Sequence, residues 1–332
     1  MSVLTRPAVL LASAAVAAGL LVAPGAAYAA DTTTQLTAAE MKAALEKVSA
    51  ASDTAAAEGW KGAAGYRFTE SGKSVTGTET ITADRTHGLL SDVFAVDGFG
   101  ATTLVLDEGD GVYQSISGGP QVDALKMMGR SAVKYVFVAD KTVSLEDSAP
   151  DPGDLVEDYA VAGTRTAHED GSAHYAFTAG DGVSITLHVG ADAVLTGTDA
   201  TMTEDGGTSE VSLDYSYGPQ TVHKPAAAET IDHKTLATGV AYLTMPETVK
   251  RAASLGAADT RKAAKGRKVN VTTLRRVVRA DASAVNSYAG VAMVKVKNVS
   301  GGVRVFGTNP WTKKTVTYSV KASGKKVVVK KL

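Results

Sequence analysis

Three histidines lie where paired strands would bring imidazoles together. If Tyr175 and Phe177 share a strand face with Ile185 and Leu187, a tight turn closes at Gly180 to Gly182. That register sets His174 opposite His188 on the other face, with His168 one strand away. Two imidazoles at cross-strand distance offer the nitrogen donors a zinc- or copper-type ion takes. The sequence places no carboxylate ligand beside them, so two solvated histidines are the simpler reading and no metal site is assigned. The acidic pairs Glu157-Asp158, Glu169-Asp170 and Glu204-Asp205 sit in turns or at strand ends. Glycosidase chemistry needs two carboxyls at a set separation across a cleft, and nothing selects one pair. The stretch ESGKS (Glu70 to Ser74) has Arg67 where a phosphate-binding loop needs glycine, and reads as a surface turn. DEGDG (Asp107 to Gly111) lacks the further oxygens of a calcium loop and reads as a hairpin turn. With no Gly-x-Ser-x-Gly elbow and no cysteine, nucleophilic catalysis has no support. No catalytic residue, metal or cofactor is assigned, and the reading is of a protein that is not an enzyme.

The formal net charge of −1 conceals a division. Asp31 to Met245 holds 13 Lys+Arg against 32 Asp+Glu, whereas Pro246 to Leu332 holds 20 against 3. Such asymmetry places a boundary near Met245 and gives the two parts different partners, or each other. The basic part carries Arg261, Lys262, Lys265, Arg267 and Lys268, then Arg275, Arg276 and Arg279. Three readings stand: a solvated face, attraction to a polyanion such as an anionic membrane surface or a cell-wall polymer, or docking onto the protein's own acidic part. Few aromatics accompany these cations (Phe306, Trp311, Tyr318), which argues against nucleic acid.

Residues 1–29 read as a signal peptide. Arg6 precedes an apolar run from Ala8 to Val22, Pro24 and Gly25 break it, and Ala27-Tyr28-Ala29 fits the cleavage pattern. The run is shorter than the ~20 residues a membrane-spanning helix needs. The expectation is a secreted or cell-envelope protein without a span in its mature form, stable through its cores alone because it has no cysteine to cross-link.

Helical periodicity runs from Thr37 to Glu58, opened by a Thr37/Glu40 capping box and striped by Met41, Ala44, Leu45 and Val48. The period then changes to two over about five strands separated by turn residues. A short helix follows with Val122, Leu125, Met127 and Met128, then an extended piece near Tyr135, a helical turn near Leu155 and about five more strands, the last ending at Gly218-Pro219. A helical, linker-like stretch over 232–268 leads to 269–332, where VNVTTLRRVVRA is strand or helix and four short strands follow. The fold class is α+β: a strongly curved antiparallel sheet with helices on its concave side, then a small basic β-rich domain.

Three stretches carry a family resemblance. VEDYAVAGTRTAHEDGSAHYAF looks like a strand pair entering after a helical insertion, ITLHVGADAVLTGTDATM like a strand, a glycine–aspartate turn and a return strand, and VSLDYSYGPQTVHKPAAAETI like a closing strand that leads to proline. Over about Thr37 to Ile231 the chain resembles the LolA-like fold, and more closely the LppX/LprG-type envelope lipoproteins of actinobacteria. The resemblance implies a half-open barrel whose apolar interior takes acyl chains, in a family that carries lipids or lipoproteins across the envelope. It implies a lipid-binding domain over 30–231. Two features depart from the family: the lipobox cysteine is missing, and the basic C-terminal part has no counterpart in the simple carriers. A large LolA-like domain followed by a smaller one is similar in arrangement alone to the RseB-type stress regulators.

On this reading a lipid or other hydrophobic small molecule faces Val211, Leu213, Tyr215 and Tyr217, joined by Phe68, Leu104, Leu106, Tyr175, Phe177, Ile185 and Leu187. Leu125, Met127 and Met128 lie on a helix that would cover the mouth, since methionine adapts to variable apolar shapes. The competing reading is a filled core in a secreted regulatory or cell-wall protein that acts through its charged surfaces.

Overall fold

The computed structural model describes residues 31–332 apart from 150, 158, 181 and 205. The signal-peptide expectation, and Asp158 and Asp205 of the acidic pairs, lie outside the described residues. The chain divides into two compact units, residues 31–115 with 138–225, and residues 116–137 with 226–332. This division sharpens the charge asymmetry: the first unit holds 9 Lys+Arg against 29 Asp+Glu, the second 24 against 6.

The first unit contains β1 (Thr32–Leu36), α1 (Ala38–Ala56), β2 (Trp60–Glu70), β3 (Lys73–Asp84), β4 (Leu89–Val96), β5 (Gly100–Asp107) and β6 (Gly111–Ser115). After the excursion into the second unit, which holds α2 (Gly119–Met128) and reaches β7 (Tyr135–Ala139), it resumes with α3 (Leu145–Ser148). The strands β8 (Gly163–Ala167), β9 (Ala173–Ala179), β10 (Val183–Val189), β11 (Leu195–Glu204) and β12 (Gly207–Tyr217) complete it. Its strands run in the order β1-β8-β9-β10-β11-β12-β2-β3-β4-β5-β6, each antiparallel to its neighbour. The result is a large, curved, open antiparallel sheet, the architecture the resemblance implies. Edge strand β1 is an element the sequence reading did not contain.

Helix α1 forms where the capping box begins it: the Glu40 N–H donates to Thr37 Oγ1 at 3.3 Å and the Thr37 N–H to Glu40 Oε2 at 2.8 Å. Its stripe of Met41, Leu45 and Val48 is fully buried against Tyr175, Phe177, Leu187, Val189 and Leu195. The helix lies so close to β8 that a Cβ on Gly163 would stand 2.8 Å from Met41 Cε. At the other end, the Leu195 N–H donates to Ser52 Oγ at 3.0 Å. The expected turns are present: Asp107 to Gly111 joins β5 to β6, and Ser71 and Gly72, with φ of 49° and 76°, join β2 to β3.

The second unit continues with β13 (Thr230–Asp232), α4 (His233–Leu243), α5 (Met245–Ala264), α6 (Val271–Ala289), β14 (Lys295–Val299), β15 (Gly302–Thr308), β16 (Thr315–Ser323) and β17 (Lys326–Lys331). Thr230–Asp232 pairs in parallel with Tyr135–Phe137, and the four last strands form one antiparallel sheet. Two expectations are corrected here. The stretch 232–268 is not a linker: Met245, Val249, Ala252, Ala253 and Ala257 of α5 are core residues packed with Leu274, Val278, Val303, Val305 and Val320. Helix α2, expected over the mouth of the apolar interior, packs into the second unit, where Leu125 is buried with Ala124, Val136, Ile231 and Leu236. The ambiguous stretch over 269–280 falls almost wholly in helix α6, whose side chains at Leu274, Val278, Ala282 and Val285 recur every three or four residues toward the core.

Helices α5 and α6 meet where α5 has no side chain. A Cβ on Gly256 would stand 2.8 Å from Val278 Cγ2 and 3.0 Å from its Cα. Gly256→Val should therefore force the helices apart and cost about 2–3 kcal/mol. Urea unfolding with probes in each unit checks this. The second unit's transition should fall while the first unit's midpoint holds.

Candidate functional site

Register defines one apolar face of the large sheet. Across β2 and β12, Trp60 pairs with Tyr217, Gly62 with Tyr215, Ala64 with Leu213 and Tyr66 with Val211. The face continues through Thr198 opposite Leu213 and Ala200 opposite Val211, then Leu187 opposite Thr198 and Ile185 opposite Ala200. At the centre of the sheet this face is built from Gly62, Ala64, Thr198 and Ala200, which leave space that Leu or Phe would fill.

Two hollows occupy that space. One of about 250 Å³ has Val183, Ile185, Leu187, Thr198, Ala200, Leu213 and Tyr215 as its floor and Leu155, Val156 and Tyr159 as its roof. The other, about 110 Å³, is lined by Trp60, Gly62, Ala64, Tyr66, Glu79, Ile81 and Ala149. Leu155, Leu213 and Tyr215 line both. Together the lining spans β10, β11, β12, β2 and β3, roughly 19 Å across five strands at their usual spacing. Beyond Tyr66 the same face continues into Phe68, Val75 and Phe94, which are 48%, 47% and 43% exposed. The apolar surface thus runs out from under its roof into the open.

Polar groups at the hollows are few. The Tyr215 hydroxyl is buried without a hydrogen-bond partner among the described residues, and burial pushes its pKa far above the ordinary phenol value. Tyr217 differs: its hydroxyl donates to Leu195 O at 2.5 Å, and burial pushes its pKa up to about 12. The Tyr66 hydroxyl donates to Glu79 Oε2. By register, Glu79 and Asp92 both belong to the apolar face, where the sequence reading placed no carboxylate.

The expected lining residues fall into five groups. Ile185, Leu187, Leu213 and Tyr215 line the hollows. Tyr175 and Phe177 share their face but are sealed beneath α1, and Leu104, Leu106 and Tyr217 belong to the packing around Trp60 and Leu90. Phe68 lies beyond the roof, exposed at the open end of β2. Leu125, Met127 and Met128 belong to the second unit, where Met127 Sδ accepts from Asn309 Nδ2 at 3.0 Å and Met128 Sδ lies 2.8 Å from where a Cβ on Gly239 would stand. The roof residues and the small floor residues were not identified from sequence. The signal for the floor was present as Gly62, Ala64 and Ala200 at strand-interior positions, where such residues are poor fillers.

The opposite face holds the histidines in the expected register. His174 and His188 are direct partners, with His188 Nδ1 3.0 Å from His174 Nε2. The chain extends at both ends, His188 Nε2 lying 2.8 Å from Asp199 Oδ2 and His168 Nδ1 3.0 Å from Asp31 Oδ2. Burial, and then the charges of His188 and His168, hold the His174 pKa below the ordinary imidazole value. Among the described residues no three His, Asp or Glu side chains are set to hold a metal ion.

The roof crosses an acidic spot. Asp53 on α1 has its pKa raised first by burial and then by Asp154, Asp151 and Glu157, against the Arg85 charge; Arg85 itself pairs with Asp151. Ionised Asp53 therefore costs stability at neutral pH, and the cost disappears as pH falls through its raised pKa. Asp53→Asn should raise the thermal midpoint at neutral pH, with the gain shrinking on acidification. The two tyrosines should separate in the same assay. Tyr215→Phe removes an unpartnered hydroxyl and should be neutral or stabilising by up to about 1 kcal/mol, whereas Tyr217→Phe should cost about 1 kcal/mol.

No family model matches this sequence, and no curated protein matches it. Solved structures to which the chain is similar include an uncharacterised conserved protein from Thermus thermophilus, at 11% identity and TM-score 0.31 over 57% of this chain and 98% of that one. A LolA superfamily protein from Nitrosomonas europaea matches at 8% identity and TM-score 0.22 over 57% of this chain and 96% of its own. A DUF1329 family protein from Desulfovibrio piger matches at 14% identity and TM-score 0.25 over 59% of this chain and 98% of its own. At such scores the likeness carries no weight for function, which is read from the hollows.

Proposed function

We propose that the first unit binds one hydrophobic chain, such as the acyl tail of a lipid, in the hollows beneath Leu155, and acts as an exported carrier rather than an enzyme. The observation that carries this is the elongated apolar lining across five strands, opening onto exposed Phe68, Val75 and Phe94. Exposed apolar surface of this kind marks a place where something binds. The hollows are narrow: each lies below the ~300–1,000 Å³ of drug-sized ligand pockets, which suits a single chain and not a many-tailed lipid. Burying such a chain contributes ~0.8 kcal/mol per methylene, so a dozen methylenes supply roughly 10 kcal/mol before ordering losses, without a polar contact. Export rests on residues 1–29 and their cleavage pattern.

Organic extraction and mass spectrometry of the chain from Asp31 onward should release a lipid or related amphiphile, and the emptied protein should bind a fluorescent fatty acid. Ala200→Phe fills the floor and should weaken that binding at least about tenfold while far-UV circular dichroism is retained. A clean extract with no fatty-acid binding would favour the second reading, a filled interior in a protein working through its surfaces.

A further inference from the structure

The sheet of the second unit buries only one face. Val303, Val305, Val320 and Val327 point into the core with α5 and α6. Strand pairing therefore gathers the alternate residues on the other side. Lys297, Arg304, Ser319 and Lys330 are successive partners across β14, β15, β16 and β17. In the next row Lys295 partners Phe306 and Phe306 partners Thr317, whose carbonyl accepts the Leu332 N–H at 2.9 Å. On the other side Lys321 partners Val328, with Lys326 two residues earlier on the same strand.

Lys295, Lys297, Arg304, Lys321, Lys326 and Lys330 are all exposed, and no Asp or Glu follows Asp281 in the chain. The strands thus carry no Asp or Glu side chain, and Glu247, Asp259 and Asp281 lie on the helices that pack against the buried face. At strand spacings of ~4.8 Å and ~6.8 Å between alternate residues, the six cations form a sheet-borne array of fixed pitch. Apolar side chains stand among them: Val328 is 48% and Leu332 60% exposed, and Phe306 is half-buried on the same side. The helical cations singled out in the sequence are partly committed to the fold. Arg275 donates to Gly302 O and Val299 O, Arg279 to Asn298 Oδ1 and Arg261 to Ala257 O.

We propose that this face docks on the surface of an anionic phospholipid bilayer. Ammonium and guanidinium groups on a shared sheet face meet lipid phosphates, and aliphatic and aromatic side chains between them enter the headgroup layer. A soluble polyanion would use the charges but leave Val328 and Leu332 without a role. The proposal is independent of the lipid-carrying reading, because the array and the hollows belong to different units and respond to different substitutions.

Flotation of the chain from Asp31 onward with phosphatidylcholine vesicles, with and without phosphatidylglycerol, tests it. Binding should require phosphatidylglycerol and weaken with salt. Lys297→Glu combined with Arg304→Glu should reduce partitioning at least about tenfold. Lys234→Glu combined with Lys250→Glu, at exposed positions on α4 and α5, changes net charge equally and should leave most of the binding intact. Val328→Ser with Leu332→Ser should weaken binding without altering its salt dependence. Unchanged far-UV circular dichroism and an unchanged unfolding transition of the second unit show that the variants are folded. Three results would overturn the proposal: no binding to phosphatidylglycerol vesicles, equal losses from the two charge reversals, or tighter binding to a single-stranded oligonucleotide or polyphosphate than to vesicles.

Discussion

The first unit turns on a mismatch between the width of its sheet and the helical cover available for it. One face of the eleven-stranded sheet is apolar at alternate positions over β9 to β12 and β2, and α1 is the long helix that packs on it. Helix α1 closes the β9–β10 end with Met41, Leu45 and Val48. Leu145 and Ala149 join Trp60, Leu90 and Leu106 in a second cluster. The central strands lie between these clusters, and there the sequence supplies Gly62, Ala64, Thr198 and Ala200. Close packing is the rule in protein interiors, and lining atoms beside a void lose their contacts outright. A hollow over these strands is therefore a cost that a buried hydrocarbon chain would offset.

The roof is built differently from the floor. The floor is held by strand pairing on both sides, while the roof residues Leu155, Val156 and Tyr159 lie outside regular secondary structure. It is fixed by Val156, which is fully buried, by Tyr159 against Phe177 at 4.9 Å between ring centroids, and by Arg85 with Asp151. Leu155 remains 47% exposed although it lines both hollows. A cover held by so few buried groups is the part of the unit best suited to yield to an entering chain.

Local patterns in the sequence were legible. The capping box marked the start of α1, and the alternation around Tyr175 and Ile185 set the strand register that pairs His174 with His188. Two features were not legible, for one reason: both depend on contacts between distant segments. Leu125, Met127 and Met128 show the spacing of an amphipathic helix, but spacing does not say which core receives the apolar stripe; Leu125 and Met128 pack with Ile231, Leu236, Val240 and Leu243, and Met127 meets Asn309. Alternation marks an inward face, yet whether an inward residue meets a helix or a space depends on where α1 ends. Tyr215 and Phe177 have the same pattern; only Phe177 lies beneath the helix. The linker reading of 232–268 failed because alanine and glycine, sparse in side-chain bulk, here permit close helix packing at Ala252, Ala253 and Gly256 rather than marking a flexible connection.

The central claim is that a hydrocarbon chain lies across the middle strands beneath Leu155. Intermolecular nuclear Overhauser effects between a ¹³C-labelled fatty acid and methyl-labelled protein test it most directly. The account requires cross-peaks from the chain to the methyls of Ile185, Leu187, Ala200 and Leu213, with none to the buried methyls of Leu45 or Val48 on α1. A bound fatty acid that contacts only Val328 and Leu332, or no methyl of the first unit at all, would contradict it.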